Sequence, residues 1–323
     1  MTVRVPAKVN CELRVGPLGA DGFHELSTVF MAVGLYDEIT VTRAERWSVT
    51  TTGPYAAQVP AGSDNLAMRA ARLLARHMRV TRATASIRID KSIPVAGGMA
   101  GGSADAAGVL VACDHLWGLR MDRDELMELA AELGSDVPFC LAGGIAVGSG
   151  RGERLAPVLA RGTYHWVFAL SSQGLSTPEA FAEFDRLTAG TNVLQPEPSP
   201  SMMTAPRSGD PEALGDALVN DLQEPAFSLR PALRPVLEAG MEFGALGGII
   251  SGSGPTVAFL TGSAEHALDL CVALTASGVV DQVTRAKGPK KVGPFVVPKA
   301  MCSTASATLS TWFKIRGTSY SIS

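Results

Sequence analysis

No stretch of the 323-residue sequence offers the roughly 18 uninterrupted apolar residues that a membrane-spanning helix needs, so no span is expected. The opening Met1-Thr2-Val3-Arg4-Val5-Pro6 has no continuous apolar segment, which argues against a secretion signal. An excess of basic charge is missing too: the formal net charge is −3, which gives no basic footprint for nucleic acid. Cysteine is sparse. Cys11, Cys113, Cys140, Cys271 and Cys302 are odd in number, far apart and without a Cys-x-x-Cys pair. That argues against a disulfide framework or a zinc site and fits reduced thiols in the cytoplasm. What the chain has in plenty is apolar side chain, 46% against 18% charged, enough for a normal core and, at this length, for two domains.

Glycine is concentrated in one place. The run Pro94-Val95-Ala96-Gly97-Gly98-Met99-Ala100-Gly101-Gly102-Ser103-Ala104 follows a strand pattern with Ile87 and Ile89 on one face. Beyond it, Ala106, Ala107, Val109, Leu110, Cys113, Leu116 and Trp117 recur at helical spacing, and Gly118 is a stop signal. Strand, glycine turn and helix together make a place for an anion, because glycine lets backbone N–H groups close in and a helix start adds more. The run lacks the Gly-Lys-Ser/Thr ending of a P-loop, and no acidic residue follows at the spacing of a dinucleotide-binding fold. By glycines alone, a merely close-packed helix start fits equally well.

Three further stretches each allow a plain structural reading. In Pro6-Ala7-Lys8-Val9-Asn10, Lys8 and Asn10 point to one side of an extended chain, as a solvated lysine beside a turn asparagine would. His24, in Asp21-Gly22-Phe23-His24-Glu25-Leu26, follows a turn and reads as a structural hydrogen-bonder. In Ser135-Asp136-Val137-Pro138-Phe139, Asp136 reads as a helix cap with Pro138 in the first turn.

Taken together, these stretches resemble the GHMP kinases, whose second motif is a proline, a glycine run, then a serine and small residues opening a helix. Ser251-Gly252-Ser253-Gly254-Pro255, otherwise a hairpin turn, is similar to the third motif. Within the superfamily, Pro-Ala-Lys-Val-Asn, Asp-Gly-Phe-His and Gly-Ser-Asp-Val-Pro resemble the 4-diphosphocytidyl-2-C-methyl-D-erythritol kinase branch of the non-mevalonate isoprenoid pathway. The resemblance fades after about Pro289.

It implies an α+β fold of two domains with the active site in the cleft between them. The N-terminal one, residues 1–160, would be like ribosomal protein S5 domain 2; the C-terminal one, 161–298, would be ferredoxin-like. It also implies ATP and Mg²⁺, with the Pro94-to-Ala104 run holding the nucleotide phosphates and the Ser103 hydroxyl reaching phosphate or metal. Asp136 would take the proton of the acceptor hydroxyl, and Lys8 beside it would stabilise the developing charge. Asn10, Phe23 and His24 would contact the substrate, the last two against its cytosine; Phe23 stands where the branch more often has tyrosine, which keeps stacking and drops a hydroxyl. No direct protein ligand to the metal is identifiable. Asn65 has a possible nucleotide role, and Asn220-Asp221-Leu222 matches an element of uncertain duty.

The partner is then a small molecule, a cytidyl diphosphate sugar alcohol, with no nucleic acid or membrane. Alternatives remain: a GHMP kinase for homoserine or mevalonate, a non-catalytic nucleotide-binding protein on the same scaffold, or an S5-like RNA-binding module, which the negative charge disfavours.

Elsewhere the pattern suggests strands over 3–15 (interrupted at Pro6 to Asn10), 35–43 and 47–58, and a helix from Leu66 capped by Ser63 or Asp64. A helix with a capping box from Asp122 to Glu125 follows, then a strand over 163–170 and a loop over 195–210. Helices over 211–222, 231–239 and 264–276 and a strand over 279–287 complete it. The Ser/Thr-rich stretch 299–323 is expected to be a poorly ordered tail.

Overall fold

The structure is a computed structural model and describes residues 1–80, 83–288 and 293–296. The expected tail therefore lies outside the described residues. In chain order the first half gives β1 (Thr2–Leu18), β2 (His24–Arg43), β3 (Ser48–Thr52), α1 (Leu66–His77), β4 (Ala85–Asp90) and α2 (Gly101–Trp117). Then come α3 (Arg123–Leu133), α4 (Val137–Ala142), β5 (Ile145–Ser149) and β6 (Arg154–Pro157). The second half gives β7 (Tyr164–Leu170), α5 (Thr177–Leu187), α6 (Pro200–Ser208), α7 (Pro211–Asp216), β8 (Val219–Asn220) and α8 (Gln223–Leu229). It ends with α9 (Leu233–Glu242), β9 (Gly247–Ile250), β10 (Val257–Thr261), α10 (Ala264–Ser277), β11 (Gln282–Gly288) and β12 (Phe295–Val296).

The long β1–β2 antiparallel pair is the spine of the first sheet, which runs β12-β1-β2-β4-β3 with β5 also on β2 and β8 on β1. Its alternation separates core from site. Val3, Val5, Ala7, Val9 and Cys11 are buried on one face against α1 and α2, while Lys8, Asn10 and Glu12 take the alternate positions. Helix α2 fits tightly there: a Cβ on Gly108 would stand 2.8 Å from both Val5 and Ile39. The interruption expected at Pro6 to Asn10 is not a break. The strand continues, and register shifts at Pro6/Ala7 and Asn10/Glu12 absorb the missing ladder donor of Pro6 and re-aim the residues that follow.

The second sheet is antiparallel in the order β11-β7-β10-β9. Numbered within the second half, that is fourth, first, third and second strand, the order of a ferredoxin-like βαββαβ unit. Its separate core holds Val167, Ala169, Ile250, Val257, Phe259 and Leu270. The two halves share the first sheet as well, since β8 lies parallel to β1 at Glu12 and Leu13, and β12 pairs with Val3 and Arg4.

Several local expectations change. The 195–210 loop contains α6, because Ser199 caps it from the side chain, Pro200 starts it, and Met202 and Ala205 are buried. The 211–222 helix stops at Asp216 and becomes β8, where Asn220 is drawn into backbone contacts. Asn65, not Ser63 or Asp64, caps α1: its Oδ1 accepts from Ala67 N at 2.9 Å and Met68 N at 3.4 Å. That gives the nearly buried Asn65 a structural duty. Asp122 does cap α3, but Glu125 faces His77 at 3.9 Å instead of reaching back. Cys11, Cys113, Cys140 and Cys271 are free thiols, and burial pushes Cys113 up to about 12.

Candidate active site

Strand β1, the glycine run and the start of α4 meet on one cavity of about 970 Å³. Lys8 and Asn10 reach it from β1, Ala96, Gly97, Gly98, Ala100, Gly101, Gly102 and Ser103 from the glycine run, and Asp136 from the entry of α4. Phe23 and His24 line it from the β1–β2 turn. Within the run, Pro94, Val95, Met99 and Ala104 do not line the cavity; Met99 and Ala104 are fully buried in the core. The Met99 carbonyl instead accepts from Lys8 N at 3.2 Å, tying the loop to β1.

Lys8 is almost wholly buried, and its ammonium is held by a polar relay. Lys8 Nζ donates to Asn10 Oδ1 at 2.6 Å, Asn10 Nδ2 to Thr28 Oγ1 at 2.8 Å, and Thr28 Oγ1 to the Glu12 carbonyl at 2.7 Å. The ammonium also faces the Phe30 ring, 5.6 Å from its centroid. Asp136 Oδ2 lies 3.6 Å from Lys8 Nζ. Although Asp136 occupies the cap position of α4, its side chain makes no capping bond. The cap reading gives way: the carboxylate is turned to the lysine and the cavity, about one-third exposed.

The second glycine turn closes over the first. A Cβ on Gly98, whose φ is +71°, would lie 1.9 Å from the Ser251 carbonyl oxygen, so only glycine allows the approach. Ser251 Oγ donates to the Gly98 carbonyl at 3.1 Å. Asn220 holds the second turn from behind, with Nδ2 donating to the Ile250 and Gly252 carbonyls at 2.7 Å each. Asp221 accepts from Val15 N at 2.9 Å. Those contacts give the Asn220-Asp221-Leu222 element its duty: it staples β1 to the second glycine turn. Gly98→Ala is expected to force the two turns apart. Left-handed backbone alone costs an alanine about 1–2 kcal/mol. A chemical-denaturation midpoint unchanged from wild type would contradict this close approach.

His24 donates from Nδ1 to the Gly16 carbonyl at 2.8 Å, which leaves Nε2 facing Asp185 Oδ1 at 3.4 Å. Its ring stacks on Phe181, centroids 5.4 Å apart, and meets the edge of Phe184 at 5.8 Å. Phe23 is half exposed, with the Arg151 guanidinium 4.9 Å above its ring. Phe181, Asp185, Ser176 and Thr177, all on or before α5, also line the cavity and carry no motif that marks them. Their one signal was Ser176-Thr177-Pro178, a cap-like residue with proline in the first turn.

Under this loop sits an unforeseen set of buried charges. Lys91 Nζ donates to Asp37 Oδ2 and to Asp105 Oδ2, each at 2.6 Å. Burial works against the Lys91 charge, but the Asp105 and Asp37 carboxylates outweigh it and hold the ammonium above its ordinary pKa. Burial raises Asp105 well above the usual carboxylate range, with Lys91 opposing. As to a metal, no cluster of three or more His, Cys, Asp or Glu side chains exists among the described residues. The site fits Mg²⁺ only as an ion arriving on phosphate oxygens and keeping waters, with the Ser103 hydroxyl and Asp136 on the same cavity.

Both halves of the chain match family models. Residues 65–144 match the GHMP kinases N terminal domain and residues 202–280 the GHMP kinases C terminal. A 4-diphosphocytidyl-2-C-methyl-D-erythritol kinase from Mycolicibacterium smegmatis is 56% identical over 94% of this chain and 94% of its own. One from Streptomyces avermitilis is 54% identical over 90% of this chain and 97% of its own. The crystal structure of a 4-(cytidine 5′-diphospho)-2C-methyl-D-erythritol kinase superposes with a TM-score of 0.72 at 32% identity, covering 89% of this chain and 99% of that one. A homoserine kinase from Cytophaga hutchinsonii, at 18% identity and a TM-score of 0.70 over 92% of this chain and 97% of its own, shares the fold alone. The chain therefore belongs to the 4-diphosphocytidyl-2-C-methyl-D-erythritol kinase family of the GHMP kinases.

Proposed function

We propose that this chain transfers the γ-phosphoryl group of ATP to the 2-hydroxyl of 4-diphosphocytidyl-2-C-methyl-D-erythritol, giving the 2-phosphate and ADP, in non-mevalonate isoprenoid precursor synthesis. The observation that carries the reading is the Lys8–Asp136 pair at 3.6 Å on a cavity that the glycine run also walls. Phosphoryl transfer asks a protein mainly for positioning and charge stabilisation, and little covalent chemistry. Backbone N–H groups of the glycine run bind the ATP phosphates. Asp136 accepts the proton as the substrate oxygen forms its bond to the γ-phosphorus and the bond to ADP breaks. Lys8 stabilises the charge that builds on the transferring group. Bound Mg²⁺ supplies neutralisation of the triphosphate charge.

The cavity is near the upper end of the roughly 300–1,000 Å³ typical of small-molecule sites, as two substrates require. Its aromatic wall favours a base over a plain alcohol. Phe23, His24 and Phe181 put aromatic rings on it against which a base can stack, and homoserine and mevalonate have no ring to offer them. Among the described residues no helix is long and apolar enough to cross a membrane, and the free thiols fit the cytoplasm.

The test is ADP release measured with the cytidyl substrate, with homoserine, with mevalonate and with no acceptor. Release dependent on the cytidyl compound is the expected result. Release driven by either other alcohol, or by none of the three, overturns the assignment.

A further inference from the structure

The buried charges beneath the glycine run lie at both of its roots. Where β4 ends, Asp37 Oδ1 accepts from Ser92 N at 2.7 Å and from Ile93 N at 2.8 Å. These are the last two backbone donors before Pro94, which has none. At the other root, Asp105 stands in the second turn of α2. Lys91 Nζ joins the two carboxylates, and all three side chains are at most 4% exposed. The first residue of α2 rests directly on the ammonium: a Cβ on Gly101 would be 3.0 Å from Lys91 Nζ.

Stability is a poor account of this arrangement. Well-packed apolar side chains of similar volume serve a core as well as a buried ion set, or better. Asp105 Oδ1 is buried and makes no hydrogen bond, so the set is not even fully satisfied. What it does achieve is geometric. One ammonium fixes the exit of β4 and the entrance of α2 relative to each other, and the intervening amides have no other buried ionic anchor among the described residues.

We propose that Asp37, Lys91 and Asp105 are positioning residues for ATP, setting the spacing of the glycine-run amides that receive its phosphates. The inference rests on the reading of that run as the nucleotide site. Misplacing a binding group by about 1 Å can cost up to about 100-fold, and the groups that orient a ligand-holding shell matter about 10–100-fold. Asp105→Asn keeps the shape and replaces a carboxyl oxygen with an NH₂ group beside the Lys91 ammonium. It is expected to raise the KM and the Kd for ATP about 10-fold while the KM for the alcohol stays within about 2-fold. Asp37→Asn, which leaves only one oxygen for two backbone donors and the lysine, should shift the same quantity in the same direction.

Isothermal titration with ATP and steady-state kinetics, alongside melting temperatures, distinguish the outcomes. A purely structural role lowers the melting temperature and leaves the ATP constants alone. Folded variants with wild-type ATP constants overturn the inference, as does failure of both variants to fold. Wild-type protein that does not bind ATP at all removes the nucleotide reading itself, and is seen before any variant is made.

Discussion

Asp136→Asn is expected to lower kcat by about 10²–10⁴-fold, the usual cost of removing a positioned proton acceptor. The substitution keeps the side chain's shape and takes away its ability to hold the substrate proton. Its structural cost does not come from the helix. Asp136 makes no side-chain bond to the α4 amides, so the helix start loses no cap. The nearly buried Lys8 ammonium does lose the carboxylate 3.6 Å away, but it keeps its bond to Asn10, so a modest fall in melting temperature is expected. ATP binding, which belongs to the glycine run, should be unchanged by isothermal titration. The pattern to look for is therefore a fall in turnover in protein that is still fully folded, with an unaltered ATP Kd. Turnover within a few-fold of wild type would falsify the role of Asp136.

Much of this site could be read before any coordinates. The glycine run, its helix and the Gly118 stop are signalled locally, since a turn that needs glycine and a helix that needs periodic apolar residues leave marks over a few positions. Strand β7 and helix α10 are legible for the same reason. The Lys8–Asp136 convergence was not local at all. It came from resemblance, because nothing in the chain between those residues encodes that β1 and α4 meet. What escaped notice has a common physical cause. Lys91 next to Asp90 looks like an ordinary solvated pair in sequence, yet the lysine turns inward to carboxylates 54 and 14 positions away. Phe181 reads as one apolar position on a short helix until His24 is seen stacked on it. The cap of α1 falls on Asn65 and not on Ser63 or Asp64, because all three residue types cap equally well and only the folded backbone picks one. Long-range pairing of polar groups leaves no periodicity to find.

Lys8→Met is expected to lower kcat by about 10²–10³-fold, the range for losing a preorganised charge-stabilising group. Here the structural cost is real and must be separated. Methionine leaves Asn10 Oδ1 without the donor it meets at 2.6 Å, and an unsatisfied buried acceptor costs about 1–3 kcal/mol. A lower melting temperature is thus part of the expected result. The kinetic signature decides the role: at a temperature where the variant is fully folded, kcat should still fall while the ATP KM holds. Lys8→Arg gives the complementary check. A Cβ at Gly252 would be only 3.1 Å from Lys8 Nζ, so the second glycine turn packs directly on the ammonium and leaves no room for a guanidinium fork. Arginine keeps the charge, yet it is expected to be nearly as inactive as methionine. If Lys8→Arg instead restored turnover, charge alone would suffice, and the close seat formed by Asn10 and Gly252 would not matter to the chemistry.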